Sequence, residues 1–212
     1  MKGFFLGVLV TIIVIGAGLW YRSAVEHASQ PIACPVDAEL CPDGTSVSRA
    51  GLSCAFPVCP PPNVSLSDIG ISFAIPTGFT ATTSPDSSSV AAYEMSEASS
   101  TSDIIIRDYA ITASSTALAT IEQTAVNGAS GTPVGVTSYS STTLGTHRFT
   151  IVSIQRFEGI VDTAYYLARG TDVLRFDAID TGVTNWTDSN LDTSTLPANA
   201  ALEKLLTTLQ GN

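Results

Sequence analysis

The chain has 212 residues, a net charge of −10 and only 13% charged residues, which leaves room for one ordinary domain with small accessories. Beyond residue 21 the basic residues are few and scattered, and Lys204 is the only lysine among them. Such a surface repels phosphate backbones and has no cationic stripe to release counterions, which excludes nucleic acid as a partner and disfavours anionic lipid headgroups.

The first element is apolar. Residues 3–20 run from Gly3 to Trp20 without a charge, eighteen positions in all. As a helix rising about 1.5 Å per residue this run would nearly cross the roughly 30 Å of a bilayer's hydrocarbon. Trp20 and Tyr21 fall where an interfacial aromatic belt would lie, Arg22 follows, and Lys2 stands at the other end. A cleavable signal is a poorer match, because a cut after Ala28 puts Glu26 at the −3 position, where a small residue is required. A lipid-modified Cys34 is disfavoured by Pro31 and by the distance from the apolar run. The expectation is a single-pass anchor over residues 1–22, at the cell membrane, with the N-terminus cytoplasmic and everything else extracytoplasmic.

All four cysteines follow closely: Cys34, Cys41, Cys54 and Cys59. An even, clustered set behind an export signal reads as two disulfides in an oxidising compartment, with three pairings open. A four-thiolate zinc site is the alternative, but it favours Cys-x2-Cys knuckles, which are absent. So short a module cannot bury a core, and cross-links must stand in for one. Cys41-Pro-Asp-Gly44, Arg49, Cys54-x-Phe56 and Cys59-Pro60 resemble the short Cys-Pro-Asp-Gly modules that follow the membrane segment in exported proteins of uncultivated bacteria. That resemblance spans 34–60 and implies no activity; the disulfide-rich module is taken as 34–59. Pro60-Pro61-Pro62 then predicts a semi-rigid polyproline spacer, taken as a linker over 60–67.

From Asp68 the texture becomes that of short strands. Ile69–Ile75 alternates and stops at Pro76; Val90–Met95 and Asp103–Ile111 follow. Ser114 or Ser115 is placed to cap a helix reaching Val126, with Leu118, Ile121 and Ala125 on one side. Strands at about 134–143, 147–157, 160–169 and 172–180 are separated by links so short that neighbours must be antiparallel. After a loop over 182–191, Ser194 or Thr195 caps a last helix with Pro197 in its first turn and Leu202, Leu205, Leu206 and Leu209 on one stripe. The expected fold class is α+β, an antiparallel sheet with helices packed on it, over 68–212.

Gly70-Ile-Ser-Phe-Ala-Ile-Pro76 with Gly78-Phe79, the meander with Tyr165-Tyr166 before Gly170, and the closing Leu205-Leu206-Thr207-Thr208-Leu209 resemble PsbP-like domains. The resemblance covers about 68–210. It implies an α/β/α sandwich whose relatives bind partners, and it carries over no catalytic residue.

Candidate chemistry is sparse. Asp180-Thr181-Gly182 after an apolar strand has the form of an aspartic protease motif, but it occurs once, would need a homodimer, and reads far better as a strand ending in a turn. Asp188-Ser-Asn-Leu-Asp192 begins like a calcium loop, then has Thr193 where Gly is required and Asn199 where Glu is required. His27 and His147 are too few for a relay or a multi-histidine metal site. Trp186 with Tyr165 and Tyr166 could line a ligand surface, and Asn63 and Asn185 sit in glycosylation-type triplets. No catalytic, cofactor or metal residue is assigned, and no cofactor is implied. The expectation is a membrane-tethered extracytoplasmic domain that binds a protein or envelope component without catalysis. The alternatives are an enzyme built on Asp177, Asp180 and Asp188, or a sensor of calcium or a small ligand.

Overall fold

The computed structural model describes residues 13–22, 34–41, 46–51, 53–59 and 62–211. Residues 13–22 are helical, and the rest of the expected anchor, 1–12, lies outside the described residues. Among the described residues no helix is long and apolar enough to cross a membrane. The chain falls into two compact units, Met1–Glu39 with Ser48–Pro57 and Leu40–Val47 with Val58–Asn212. Two short strands, β1 (Ala38–Leu40) and β2 (Ser46–Ser48), pair with each other.

Among its described residues the small unit has no buried apolar side chain. The Cys34–Cys54 disulfide closes it, and Arg49 knits it together. Its Nε donates to both carboxylate oxygens of Asp37 at 2.8 and 3.0 Å, one terminal nitrogen donates to the Cys54 carbonyl at 3.1 Å, and the guanidinium lies 4.1 Å from the centre of the Phe56 ring. The second disulfide, Cys41–Cys59, belongs to the large unit, where Cys41 is buried. Of the three pairings open from the sequence, first with third and second with fourth is the one formed.

The large unit begins with β3 (Val64–Leu66), inside the stretch expected as linker, paired with β4 (Ile71–Phe73) across a 3-10 turn. Gly70 makes that turn with φ 65°. Ser72 on β4 exchanges backbone hydrogen bonds of 3.0 and 2.8 Å with Gln210, which fastens residue 210 to β4. Gly211 (φ 106°) follows, and a Cβ there would sit 2.2 Å from the Gly70 carbonyl oxygen, so only glycine fits.

Seven strands then form one antiparallel sheet: β5 (Thr80–Ala81), β6 (Ser89–Ser96), β7 (Thr101–Ala110), β8 (Ser140–Leu144), β9 (His147–Phe157), β10 (Ile160–Ala168) and β11 (Asp172–Asp180). Their spatial order is β5-β6-β7-β11-β10-β9-β8. The expected meander is present, and its last strand returns to lie against β7, far away in sequence. The expected strand from 134 is shorter: Val136–Ser138 is a 3-10 turn, and pairing starts at Ser140.

Two helices accompany the sheet. α1 (Ala117–Thr124) starts one residue later than a Ser115 cap would place it and two later than a Ser114 cap, because Thr116 is the cap; its Oγ accepts from the Ala119 N–H at 3.2 Å. Its Ile121 and the following Ala125 pack on Val152, Ile154, Ala164, Tyr166 and Val173. α2 (Pro197–Thr207) lays Leu202, Leu205 and Leu206 on the opposite face, against Ile104, Ile106, Phe149, Tyr165 and Phe176.

The expected fold class, a PsbP-like α/β/α sandwich behind a transmembrane helix, is therefore corrected. The large unit is mostly antiparallel sheet with few helices. An eight-residue α1 is only about 12 Å long and shields one end of its face. The rest of that face is covered by Ile111, Val134 and Tyr139 from the flanking segments and by a group of paired charged side chains on β7, β10 and β11.

Ser194 and Thr195, the expected caps of α2, instead lie in a 3-10 turn, Thr193–Thr195, closed by Asp192. The helix is capped from a distance: Asp180, at the end of β11, accepts from the Ala198 N–H at 2.8 Å and from the Ser102 hydroxyl at 2.7 Å. Replacing Asp180→Ala leaves both donors buried without a partner. It should lower the unfolding free energy by about 2 kcal/mol, read as a lower urea midpoint; an unchanged midpoint would show that the cap contributes nothing.

Candidate functional site

Alternation on β11 decides which carboxylates can meet. In Val173-Leu174-Arg175-Phe176-Asp177-Ala178 every second residue shares a face. Leu174, Phe176, Ala178 and Asp180 look toward α2, and Val173, Arg175 and Asp177 toward α1. Asp177 and Asp180, three residues apart, thus lie on opposite faces. Asp188 is elsewhere again, in an exposed turn where its Oδ1 accepts from the Asn190 N–H at 2.9 Å. The three aspartates of the enzymatic alternative do not converge.

A chain of charged groups crosses the α1 side instead. Arg107 on β7 and Arg175 on β11 are direct register partners, an arrangement of like charges that is repulsive in isolation. Asp177 resolves it. Its carboxylate, fully buried, accepts from Arg175 Nε at 2.6 Å through one oxygen and from Arg107 through the other. Arg107 continues to Asp86, at 3.1 and 3.3 Å. The other Asp86 oxygen gathers the N–H and hydroxyl groups of Ser88 and Ser89 at 2.6–3.0 Å. Arg175 continues to the Thr124 carbonyl at the end of α1, at 2.6 Å, and lies 3.9 Å from Asp162 on β10. A cation at a helix C-terminus is stabilised by the helix dipole.

The two ends of the chain titrate in opposite directions. Burial pushes the Asp86 carboxyl up, but the Ser88 and Ser89 donors and the Arg107 guanidinium outweigh it and hold the group well below the usual carboxylate range. At Asp162 burial wins: the carboxyl is pushed up to about 6, although Arg175 and Arg107 pull it down. One Asp162 oxygen is buried without a hydrogen-bond partner, which is consistent with a carboxylate incompletely compensated for lost water. Burial also raises Asp180, against the Ala198 and Ser102 donors.

The other sequence candidates are spread out. Tyr165 and Tyr166, both buried, face opposite sides: the Tyr165 hydroxyl lies 2.8 Å from Asn199 and Glu203 of α2, while the Tyr166 ring lies under Arg175. Trp186 is remote from both and packs edge-on against Phe157, ring centres 6.0 Å apart. Asp192 caps Ser194, and no group of three His, Cys, Asp or Glu able to hold a metal occurs among the described residues. His147 contacts the Gly211 carbonyl at 3.1 Å; His27 lies outside the described residues. Asn63 accepts from the Ile75 N–H at 3.0 Å, and Asn185 is exposed in a turn.

Sequence reasoning missed the charged chain. Its signal was present: Arg175 and Asp177 two apart in an otherwise apolar strand, and Arg107 after Ile104-Ile105-Ile106, both break the pattern of a doubly buried strand.

No family model and no curated protein matches the sequence. Among solved structures, a crystal structure from Bacteroides thetaiotaomicron is 11% identical and aligns over 67% of this chain and 45% of its own, with a TM-score of 0.43. The chain thus spans less than half the length of that protein, and a likeness at this level carries no argument about activity.

Removing Asp177 while keeping both guanidiniums, as in Asp177→Ala, should cost about 3–5 kcal/mol of stability, measured by chemical denaturation. Asp162 acts with the opposite sign. Its folded pKa lies above the ordinary 3.8, so the folded state holds this proton longer than the unfolded chain. The stabilisation is complete below about pH 4 and is lost as pH rises to about 6. Asp162→Asn should raise stability at pH 7 by about 1–2 kcal/mol, a figure reduced because the side chain is 13% exposed. The gain should vanish near pH 4, in denaturation curves of the two proteins compared across that range.

Proposed function

We propose that this protein is an exported, extracytoplasmic binding domain that recognises a protein or envelope component and performs no catalysis of its own. Two disulfides suit an oxidising space, and the apolar run over 3–20 supplies an export address. The carboxylates that an enzyme would need are held apart by strand alternation or committed to arginines and helix termini.

The observation that carries the reading is at the far end of the sheet. Phe157 ends β9, is 45% exposed, and meets Trp186 of the 184–191 loop. Arg156 clasps that loop from behind, donating to the carbonyls of Trp186 and Asp188. Half-exposed aromatic rings on a backbone held in place are what binding hot spots are built from.

A photo-cross-linking amino acid at position 157, in cells expressing the full chain, should give a discrete adduct with an envelope component. The same residue at Thr142, on the edge strand β8, should not. Absence of an adduct at 157, or equal labelling at both positions, would count against a binding role. Fractionation of the same cells reads whether the chain is retained with the membrane or released.

A further inference from the structure

We infer that the Phe157–Trp186 end of the sheet docks a lysine- or arginine-bearing segment of a protein partner; this rests on the binding role proposed above and names its occupant. The rings are presented, not buried. Phe157 precedes the Glu158-Gly159 turn, in which both residues have positive φ (50° and 79°), the signature of a tight two-residue hairpin. That turn is tied to the loop by the Val183 N–H, which donates to the Gly159 carbonyl at 2.9 Å. Within the loop, Asp188 N–H donates to Asn185 at 2.9 Å and Leu191 N–H to Asp188 at 3.1 Å. With Arg156 behind it, the loop loses little freedom on binding.

The exposed charges of this turn and loop are acidic. Glu158 in the turn, Asp188 in the loop and Asp192 immediately after the loop are exposed. Asp188 and Asp192 use one carboxylate oxygen each to cap their own turns, which leaves their charge in place. Arg156, the cation beside them, is half-buried and turned to backbone carbonyls. An indole face attracts ammonium and guanidinium groups, the carboxylates attract the same groups, and a net charge of −10 steers them in. Phosphate-rich or anionic lipid partners meet repulsion.

The test uses the full chain with Trp20→Phe, so that Trp186 is the only tryptophan. A short alternating Gly–Lys peptide should change its fluorescence saturably, and a Gly–Glu peptide should not. The triple change Glu158→Gln, Asp188→Asn and Asp192→Asn, which keeps both turn caps, should weaken Kd about tenfold; added salt should weaken it too. Phe157→Ala should weaken it while leaving the urea midpoint within experimental scatter. No saturable change, equal response to both peptides, or an unaltered Kd in the neutralised variant would overturn the assignment. If position 157 still cross-links in cells while the Gly–Lys peptide is inert, the occupant is wrong and the binding role stands; if both fail, the binding role falls with it.

Discussion

One buried carboxylate governs the large unit. Asp177 lies between two guanidiniums that the β7–β11 register places directly opposite each other. None of the three could be buried alone, because an isolated charge in a low-dielectric interior is too costly to keep. Together they bridge residues 70 apart in sequence. A one-residue slip of β11 would turn Arg175 and Asp177 into the apolar side, among Ile104, Ile106 and the leucines of α2. The network thus enforces the register of the most non-local strand pair in the sheet, even though its net contribution to stability can be small.

The rest of the architecture follows from what that chain occupies. The α1 side is only partly apolar, so a helix of eight residues suffices for it, and the charged remainder is closed by Asp86 and its serine turn. The α2 side is apolar from Ile104 to Leu206 and takes the longer helix. Asp180 belongs to this second side by alternation alone and serves there as the cap that aims α2 across the strands. Two aspartates that look like neighbours in the sequence therefore do unrelated work.

One disulfide and one arginine do for the small unit what burial does for the large one. Arg49 reaches an aspartate, a carbonyl and an aromatic ring at once, a multiplicity that the planar guanidinium allows and a lysine would not. The same device recurs at the far end of the sheet, where Arg156 holds a loop by two carbonyls and leaves an aromatic pair in solvent. In both places a cation organises backbone that has little apolar area to bury.

Local pattern alone revealed much. The alternation from Val90 to Asp180, the short links at Gly145, Glu158-Gly159 and Gly170, and the leucine stripe of α2 specify antiparallel strands and a terminal helix, because periodicity and turn chemistry act over a few residues. The cysteine cluster pointed to two cross-links; the structure forms them and pairs Cys34 with Cys54 and Cys41 with Cys59. Tertiary structure also decided that β11 returns to β7, that Thr116 and the distant Asp180 cap the helices, and that Trp186 meets Phe157 and not the two tyrosines. It replaced the expected sandwich with a broad sheet carrying few helices, and it brought the charges of β7, β10 and β11 together on one face. Each of these depends on groups tens of residues apart, and no window of local sequence contains both partners of a contact that forms only on folding.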